Sequence, residues 1–236
     1  MVATVVFGVL IAGVTNGVLI GRLKLSFMIV TLGTMTLHSG LIKLVSGGTT
    51  VEINSSFLVD TFSFGRIAGI PVPVVGCALV FSIAAYVLKF TLFGRDVYAV
   101  GGNPAAARLS GINVSRTIIA VYAIAGGAAA FGGIVAASRT GSAGPTVGDS
   151  IMLQAAAAVL IGGTSLRGGS GTVLGTAIGV LFFGVLSNGL QMADFGTEWQ
   201  QIISGVIIAG AALADKVQRD GWASLHLRLP VRLAKS

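Results

Sequence analysis

A polar, glycine-rich stretch at residues 94–114 separates two long apolar runs, and its residue types could form a docking element for another protein. Asn103 followed by Pro104 is typical of a helix start, because the Asn side chain accepts hydrogen bonds from free N–H groups and Pro suits the first helical position. The residues that follow are good helix formers, and Gly111 can end the helix after about two turns. A short helix with small side chains favours insertion into a groove of a soluble partner, and an ordinary loop with one surface helix is the alternative.

The candidate docking residues are those that shape this short helix and the approach to it. Gly101 and Gly102 are expected to let the entering backbone turn tightly, since glycine adopts conformations closed to other residues. The candidates are Gly94, Arg95, Gly101, Gly102, Asn103, Ala106, Ala107, Arg108, Leu109, Ser110 and Gly111.

The sequence does not support catalysis or nucleotide binding. Neither Gly101-Gly102 nor the second glycine-rich stretch, residues 162–171, contains the phosphate-binding pattern G-x-x-x-x-G-K-[ST]. The second stretch is expected to form a tight helical hairpin on the cytoplasmic side. Cys77 is the single cysteine, and the sequence contains no nucleophilic triad, metal-ligand set or carboxylate pair. We therefore expect no enzyme activity, no metal and no cofactor in this chain.

The composition indicates that lipid surrounds much of the chain. It is 54% hydrophobic and 10% charged, with a mean hydropathy of +0.92, whereas soluble domains carry about 25% charged residues. A net charge of +7 could suggest nucleic-acid binding. An excess of Lys and Arg in cytoplasmic loops gives a membrane protein the same charge. We expect contact with membrane lipid and no nucleic-acid partner.

Seven apolar segments predict an all-α fold, a polytopic bundle of transmembrane helices. A helix needs about 20 residues to cross the hydrocarbon core, so the two shortest segments could be re-entrant rather than spanning. The segments are 2–20, 25–42, 72–88, 117–137, 151–165, 172–190 and 200–214, of which 151–165 and 200–214 are the short ones.

The positive charges predict the orientation of this bundle. If every segment crosses and residues 89–116 lie inside, 12 of the 15 Lys and Arg residues are inside and 3 are outside, as the positive-inside rule expects. The N-terminus is then outside and the C-terminus is in the cytoplasm. The predicted organisation is a transmembrane domain at 1–214, with an outside loop at 43–71 and a cytoplasmic loop at 89–116, and a basic cytoplasmic tail at 215–236. Aromatic residues of the outside loop, Phe57, Phe62 and Phe64, suggest a surface-lying or partly inserted segment.

Polar residues within the apolar segments are candidates for lining a transport pathway. No Asp, Glu, Lys or Arg lies in these segments, although ion-coupled carriers usually need such groups there. An external energy source or simple diffusion is therefore expected. For His38, hydrogen-bonded packing is the alternative role. The candidates are Asn16, Thr34, His38, Gln154 and Asn188.

Glycines at four-residue intervals predict close packing between helices. Gly13 and Gly17 would share one helix face, and so would Gly171, Gly175 and Gly179. Small residues at this spacing let two helix backbones approach closely. Packing within the chain and an interface with another subunit are both open.

Several motifs together carry a family resemblance over nearly residues 1–214. They are Asn16-Gly17, Ile29-Val30-Thr31-Leu32-Gly33-Thr34, Gly94-Arg95, Tyr98-Ala99-Val100-Gly101-Gly102-Asn103, Ala106-Ala107-Arg108-Leu109-Ser110-Gly111-Ile112, Leu160-Ile161-Gly162-Gly163-Thr164-Ser165-Leu166 and Asn188-Gly189-Leu190. The combination resembles the permeases of sugar ABC importers of the ribose/xylose/galactose type, which reside in the bacterial cytoplasmic membrane.

The resemblance implies a function and a set of partners. The chain would carry a monosaccharide, either a ribose-like pentose or a hexose. A cytoplasmic ATPase would bind residues 94–114 through a coupling helix and would itself hold ATP and Mg²⁺. A periplasmic or lipid-anchored sugar-binding protein would deliver the substrate, and a second permease subunit, identical or related, would complete the pathway.

Two departures from the family pattern leave other functions open. Family members usually have further spans at the N-terminus, so the resemblance implies that this chain lacks that part. The residue after Asn103 is often acidic in the family and is Pro104 here. An energy-independent channel or facilitator is one alternative, and a non-transporting fragment or scaffold is another.

Overall fold

The computed structural model describes residues 8–53, 60–145, 148–165 and 168–220. The chain divides into two compact units, the first formed by residues 1–151 and 167–173 and the second by residues 152–166 and 174–236. Helices make up most of the described residues, and the strands are only two residues long. The predicted all-α class is therefore confirmed.

Helices of the first unit are connected by short turns and small ribbons. They are α1 (π-helical at Gly8–Val14 and α-helical at Thr15–Gly21), α2 (Phe27–Ser46), α3 (Val72–Phe90), α4 (Leu92–Gly102), α5 (Pro104–Leu109) and α6 (Val114–Thr140). Helix α7 (Asp149–Ile161) runs into the second unit, which also contains α8 (Val173–Met192) and α9 (Thr197–Asp220).

The connection between α2 and α3 contains three short strands and a π-helical turn, and a fourth short strand follows α6. Strand β1 (Val51–Glu52) pairs with β4 (Ser142–Ala143), and β2 (Arg66–Ile67) pairs with β3 (Ile70–Pro71). This pairing joins the connection to the chain that leaves α6.

Aromatic packing attaches the same connection to α6. Within the π-helical turn Asp60–Phe64, the Phe62 ring lies edge-on to the Phe131 ring, with 6.3 Å between centroids. The Ser63 hydroxyl donates to the Ser138 carbonyl oxygen at 2.9 Å. Phe62 is thus buried against a helix, Phe64 is exposed, and Phe57 lies outside the described residues.

Helices α1 and α6 pack against each other through glycine, running in opposite directions. A Cβ atom on Gly13 would lie 2.7 Å from the Tyr122 carbonyl oxygen, and one on Gly17 would lie 2.8 Å from Ile119 Cα. Near the end of α1, the same atom on Gly21 would lie 3.0 Å from the Ser115 carbonyl oxygen. The two backbones are therefore in direct contact, so Gly13 and Gly17 serve packing within the chain.

The second unit is packed through alanine, glycine and one phenylalanine. Ala158 and Phe183 are buried together, with Ile207 packed against them. The Ala158 carbonyl oxygen lies so close to Gly179 that any side chain there would overlap it, and a Cβ on Gly162 would lie 2.5 Å from the Gly175 carbonyl oxygen. Small residues thus allow α7 and α8 to meet closely.

The prediction that Gly171 shares a helix face with Gly175 and Gly179 is wrong. Helix α8 begins at Val173, and Gly171 precedes it with a φ of +146°. Gly171 therefore does not share a helix face with Gly175 and Gly179.

Among the described residues, four helices are long and apolar enough to cross a membrane: α2, α3, α6 and α8. Each of the seven predicted apolar segments contains a helix, but Ile11–Gly21 and Ile151–Ile161 are shorter apolar helices. The number of about seven membrane segments stays a prediction. No residue of α3 is buried, which suits a helix whose apolar side chains contact lipid.

Two regions predicted from sequence, the first apolar segment and the basic tail, lie partly outside the described residues. Residues 2–7 of the first apolar segment and residues 221–236 of the basic tail lie outside the described residues. The tail was expected to begin at residue 215, but α9 continues to Asp220.

Replacing Gly17 by alanine should destabilise the protein, because the new Cβ would overlap the α6 backbone. Overpacking of this kind costs about 1–3 kcal/mol. Gly33→Ala is the matched control, since Gly33 lies within α2 and has no atom within 4 Å of an added Cβ. We expect a lower thermal unfolding midpoint for purified Gly17→Ala in detergent than for Gly33→Ala. Equal midpoints would contradict the α1–α6 contact.

Candidate functional site

The stretch predicted as a loop at 89–116 is largely helical. Thr91 both ends α3 and begins α4: its hydroxyl donates to the Val87 carbonyl oxygen at 2.6 Å and accepts from the Gly94 N–H at 3.2 Å. Gly94 is buried against the Leu88 carbonyl, where a side chain would overlap. The loop prediction is therefore wrong for residues 92–102, and the chain passes from α3 to α4 through one residue.

Gly101 and Gly102 form the last residues of α4 and not a tight turn. A Cβ on Gly101 would lie 2.6 Å from the Gly169 backbone nitrogen, and one on Gly169 would lie 2.5 Å from Gly102 Cα. The Tyr98 hydroxyl donates to the Gly171 carbonyl oxygen at 2.9 Å. These glycines permit backbone contact between α4 and the second glycine-rich stretch. The prediction that Gly101 and Gly102 form a tight turn is therefore wrong.

The short helix predicted after Asn103 is present as α5. The Asn103 Oδ1 atom accepts from the Ala105 N–H at 3.0 Å and the Ala106 N–H at 3.1 Å. Pro104 occupies the start of the helix, and Gly111 follows its end with a φ of +84°. Local chemistry alone therefore accounts for both ends of α5.

One side of α5 is anchored and the other is open. Ala107 is 4% exposed and packs with Val100 of α4 and Val114 of α6. Leu109 is 91% exposed. The other exposed candidates here are Arg95, Gly102, Asn103, Ala106, Arg108, Ser110 and Gly111. Helix α5 is therefore held on its inner side and uncovered at Leu109.

Pathway candidates of the first unit lie on two helices. Thr34 and His38 are one turn apart on the less exposed side of α2, and the Thr34 hydroxyl donates to the Val30 carbonyl oxygen at 2.9 Å. Asn16 lies on α1, where its Oδ1 atom is buried and has no hydrogen-bond partner among the described residues. The side chains of Asn16, Thr34 and His38 are thus partly shielded. Among the described residues, no hydrogen bond joins Asn16 to Thr34.

Gln154 of the second unit is hydrogen-bonded to a residue that the sequence reasoning missed. Its Nε2 atom donates to Gln200 Oε1 at 3.3 Å, and Gln200 is 5% exposed. The Ser204 hydroxyl donates to the Gln200 carbonyl oxygen at 2.6 Å. Gln200 and Ser204 are four residues apart near the start of an apolar segment, and that polar pair is the signal that could have found them. Asn188 is exposed on α8.

The four long apolar helices among the described residues indicate a multi-pass membrane protein, and helix α5 is anchored on one side and uncovered on the other. Residues 1–212 match the family described as the permease component of the branched-chain amino acid transport system. The chain belongs to this permease family, and the family points to a multi-pass protein of the inner membrane.

Individual relatives are sugar permeases. The chain is 43% identical over 211 residues to the ribose import permease protein RbsC of Haemophilus influenzae, which covers 88% of this chain and 65% of that protein. It is 41% identical over 206 residues to the Escherichia coli K12 protein of the same name, covering 86% and 64%. It is 44% identical over 151 residues to the xylose transport system permease protein XylH of Escherichia coli K12, covering 64% and 38%.

These matches cover only part of each relative. The chain spans less than two thirds of the length of these relatives. No solved structure matches the chain significantly. The relatives are permease subunits of transport systems and not enzymes.

Replacing Asn103 by alanine should loosen α5 without changing the rest of the first unit. Loss of an N-cap side chain costs about 1 kcal/mol, so backbone amides in 104–110 should exchange with deuterium about fivefold faster. Asn103→Asp is the matched control, because its carboxylate can accept the same two N–H bonds. Hydrogen exchange measured by mass spectrometry checks this. Equal acceleration in both variants would mean that the Asn103 cap does not hold α5.

Proposed function

We propose that this protein is the permease subunit of an ATP-binding-cassette importer that moves a monosaccharide across the inner membrane. The observation that carries the proposal is α5, a capped helix with a buried inner face and a 91% exposed leucine, Leu109. The ribose and xylose permeases among the relatives support a pentose or hexose as the substrate. ATP and Mg²⁺ belong to the partner ATPase, and this chain binds no nucleotide.

The ATPase docks on α5, and the packing around α5 carries its movement into the membrane helices. Ala107 contacts Val114 at the start of α6, so displacement of α5 acts directly on a 27-residue apolar helix. On the other side, α4 follows α3 through Thr91 alone. Two membrane-length helices are therefore coupled to the docking surface without an intervening flexible segment.

The sugar-binding protein docks at the opposite end of α6. A helix of 27 residues is about 40 Å long, which suffices to separate the two surfaces by the thickness of a membrane. The end of α6 lies beside the ribbon β1–β4 and the π-helical turn Asp60–Phe64, and Arg139 of α6 and Arg66, just after that turn, are exposed. We assign residues 94–114 and the C-terminus to the cytoplasm and the connection between α2 and α3 to the outside.

The sugar pathway is completed by a second permease subunit, either a second copy of this chain or a related one. Exposed apolar side chains on α2, α3 and α8 supply surface for lipid and for that subunit. Asn16, Thr34, His38, Gln154 and Asn188 remain the proposed pathway residues, because amide, hydroxyl and imidazole groups can hydrogen-bond sugar hydroxyls without a charge in the membrane.

Replacing Leu109 by serine should weaken binding of the ATPase. Burying a leucine side chain in an interface contributes about 1.5–3 kcal/mol, so the dissociation constant should rise at least about tenfold. Leu44→Ser is the matched control, since Leu44 is 79% exposed at the far end of α2. The protein would be co-expressed with the partner ATPase and purified in detergent. The fraction of the ATPase that it retains would then be measured.

Uptake of labelled ribose or xylose into cells distinguishes the remaining functions. Loss of both ATPase retention and uptake in Leu109→Ser alone supports the importer. Uptake that persists without the ATPase would contradict the importer and indicate a channel or facilitator. Retention of the ATPase by Leu109→Ser would remove α5 as the docking surface.

A further inference from the structure

A cationic pocket of about 460 Å³ lies in the first unit, beside α5 and between the end of α1 and the start of α6. Arg22, Lys24 and Arg108 all line it, and no Asp or Glu is among the described residues of its lining. Three like charges around one space repel each other unless an anion lies between them. The pocket therefore has the charge of an anion-binding site.

Hydrogen-bond donors reinforce this character. Ser115 lines the pocket in the first turn of α6, where Asn113 Oδ1 already accepts from the Arg116 N–H at 3.1 Å. The Ser115 hydroxyl is buried and has no hydrogen-bond partner in the described part of the chain. The positive end of the α6 dipole adds to the attraction for an anion. Charge and hydrogen bonding thus favour a ligand with several acceptor oxygens.

The backbone around Lys24 is unusual. Lys24 has a φ of +55°, a left-handed conformation that residues with side chains rarely adopt. Lys24 lines the same pocket as Arg22 and Arg108. Such conformations persist where the surroundings fix them, and they are frequent at ligand-binding segments.

The position of the pocket indicates a ligand that is part of the membrane. The pocket lies at the start of α6, and its residue Lys24 is three positions before α2; both helices are long enough to span a bilayer. Leu23, Leu25 and Phe27, next to the cationic residues in sequence, are 61%, 49% and 53% exposed. Apolar side chains beside a cationic pocket match a molecule that joins acyl chains to a phosphate.

We propose that this pocket binds the phosphate headgroup of an anionic phospholipid. Arg22, Lys24 and Arg108 neutralise the phosphate, and Ser115 donates hydrogen bonds to its oxygens. The acyl chains lie along the exposed Leu25 and Phe27. Because Arg108 belongs to α5, bound lipid contacts the same short helix whose outer face carries Leu109. The proposal needs no ATPase and goes beyond the transport function proposed above.

Stabilisation of the purified full-length chain by lipid tests this site. The thermal unfolding midpoint would be measured in neutral detergent with increasing phosphatidylglycerol, with phosphatidylcholine, or with inorganic phosphate. The variant is Arg22→Gln with Lys24→Gln. The matched control is Arg66→Gln with Arg139→Gln, which removes two exposed cations from the other end of α6. Since each cation contributes about fivefold to the affinity for anionic lipid, the variant should bind phosphatidylglycerol about 25-fold more weakly.

The proposal stands if phosphatidylglycerol alone raises the midpoint and only the pocket variant loses the effect. Equal stabilisation by inorganic phosphate would overturn the lipid assignment in favour of a phosphate site filled from solution. Equal loss in both double variants would mean general charge attraction and no site. Unchanged lipid binding with weaker ATPase retention would assign the pocket to an acidic segment of the partner protein.

A second variant covers the case in which Arg22→Gln with Lys24→Gln does not fold. Lys24→Gly removes one charge and suits the left-handed backbone, so it should fold at least as well as the original. It should still bind phosphatidylglycerol about fivefold more weakly. Undiminished binding by Lys24→Gly would overturn the role of Lys24 in the pocket.

Discussion

Direct backbone contact between α1 and α6 is the constraint on which the first unit depends. Lipid removes most of the hydrophobic driving force between membrane helices, so their association relies on close packing. Gly13 and Gly17 meet the α6 backbone at distances that leave no room for a side chain. This contact fixes the end of α1 beside the start of α6. The position of α5 follows, because Ala107 packs against Val114 at that start.

The same use of small residues extends from the membrane-length helices to α4 and α5. Gly94 lets α4 begin directly against the end of α3, and Gly101 lets the end of α4 contact the backbone at Gly169. A larger side chain at either position would force the helices apart. Backbone contacts thus hold α4, and the small apolar core of Val100, Ala107 and Val114 holds α5 against α4 and α6.

The sequence predicted those elements whose signals are local. Apolar length located the helices of all seven apolar segments, and Asn103-Pro104 with Gly111 located both ends of α5, whereas α4, which is less apolar, was predicted as a loop. The functions of Gly101 and Gly102 were misassigned, because glycine is required both in tight turns and where backbones touch, and only tertiary structure distinguishes the two. Gly171 was wrongly grouped, because a four-residue interval does not show where a helix begins. Gln200 was missed because its partner, Gln154, is distant in sequence.

Charge in the long apolar helices of the described structure is confined to their ends. In α2, α3 and α6, Lys43, Lys89, Arg116 and Arg139 lie within the terminal turns, where they can reach the membrane surface. A charge at the bilayer centre costs at least about 2.5–3.5 kcal/mol, and ion-coupled carriers retain such groups to bind their driving ion. The apolar stretches of these helices, and all of α8, lack Asp, Glu, Lys and Arg. At bilayer depth these helices therefore offer amide, hydroxyl and imidazole groups but no Asp, Glu, Lys or Arg side chain. The proposed docking of an ATPase on α5 agrees with this arrangement, because it requires no charged group within the membrane-length helices.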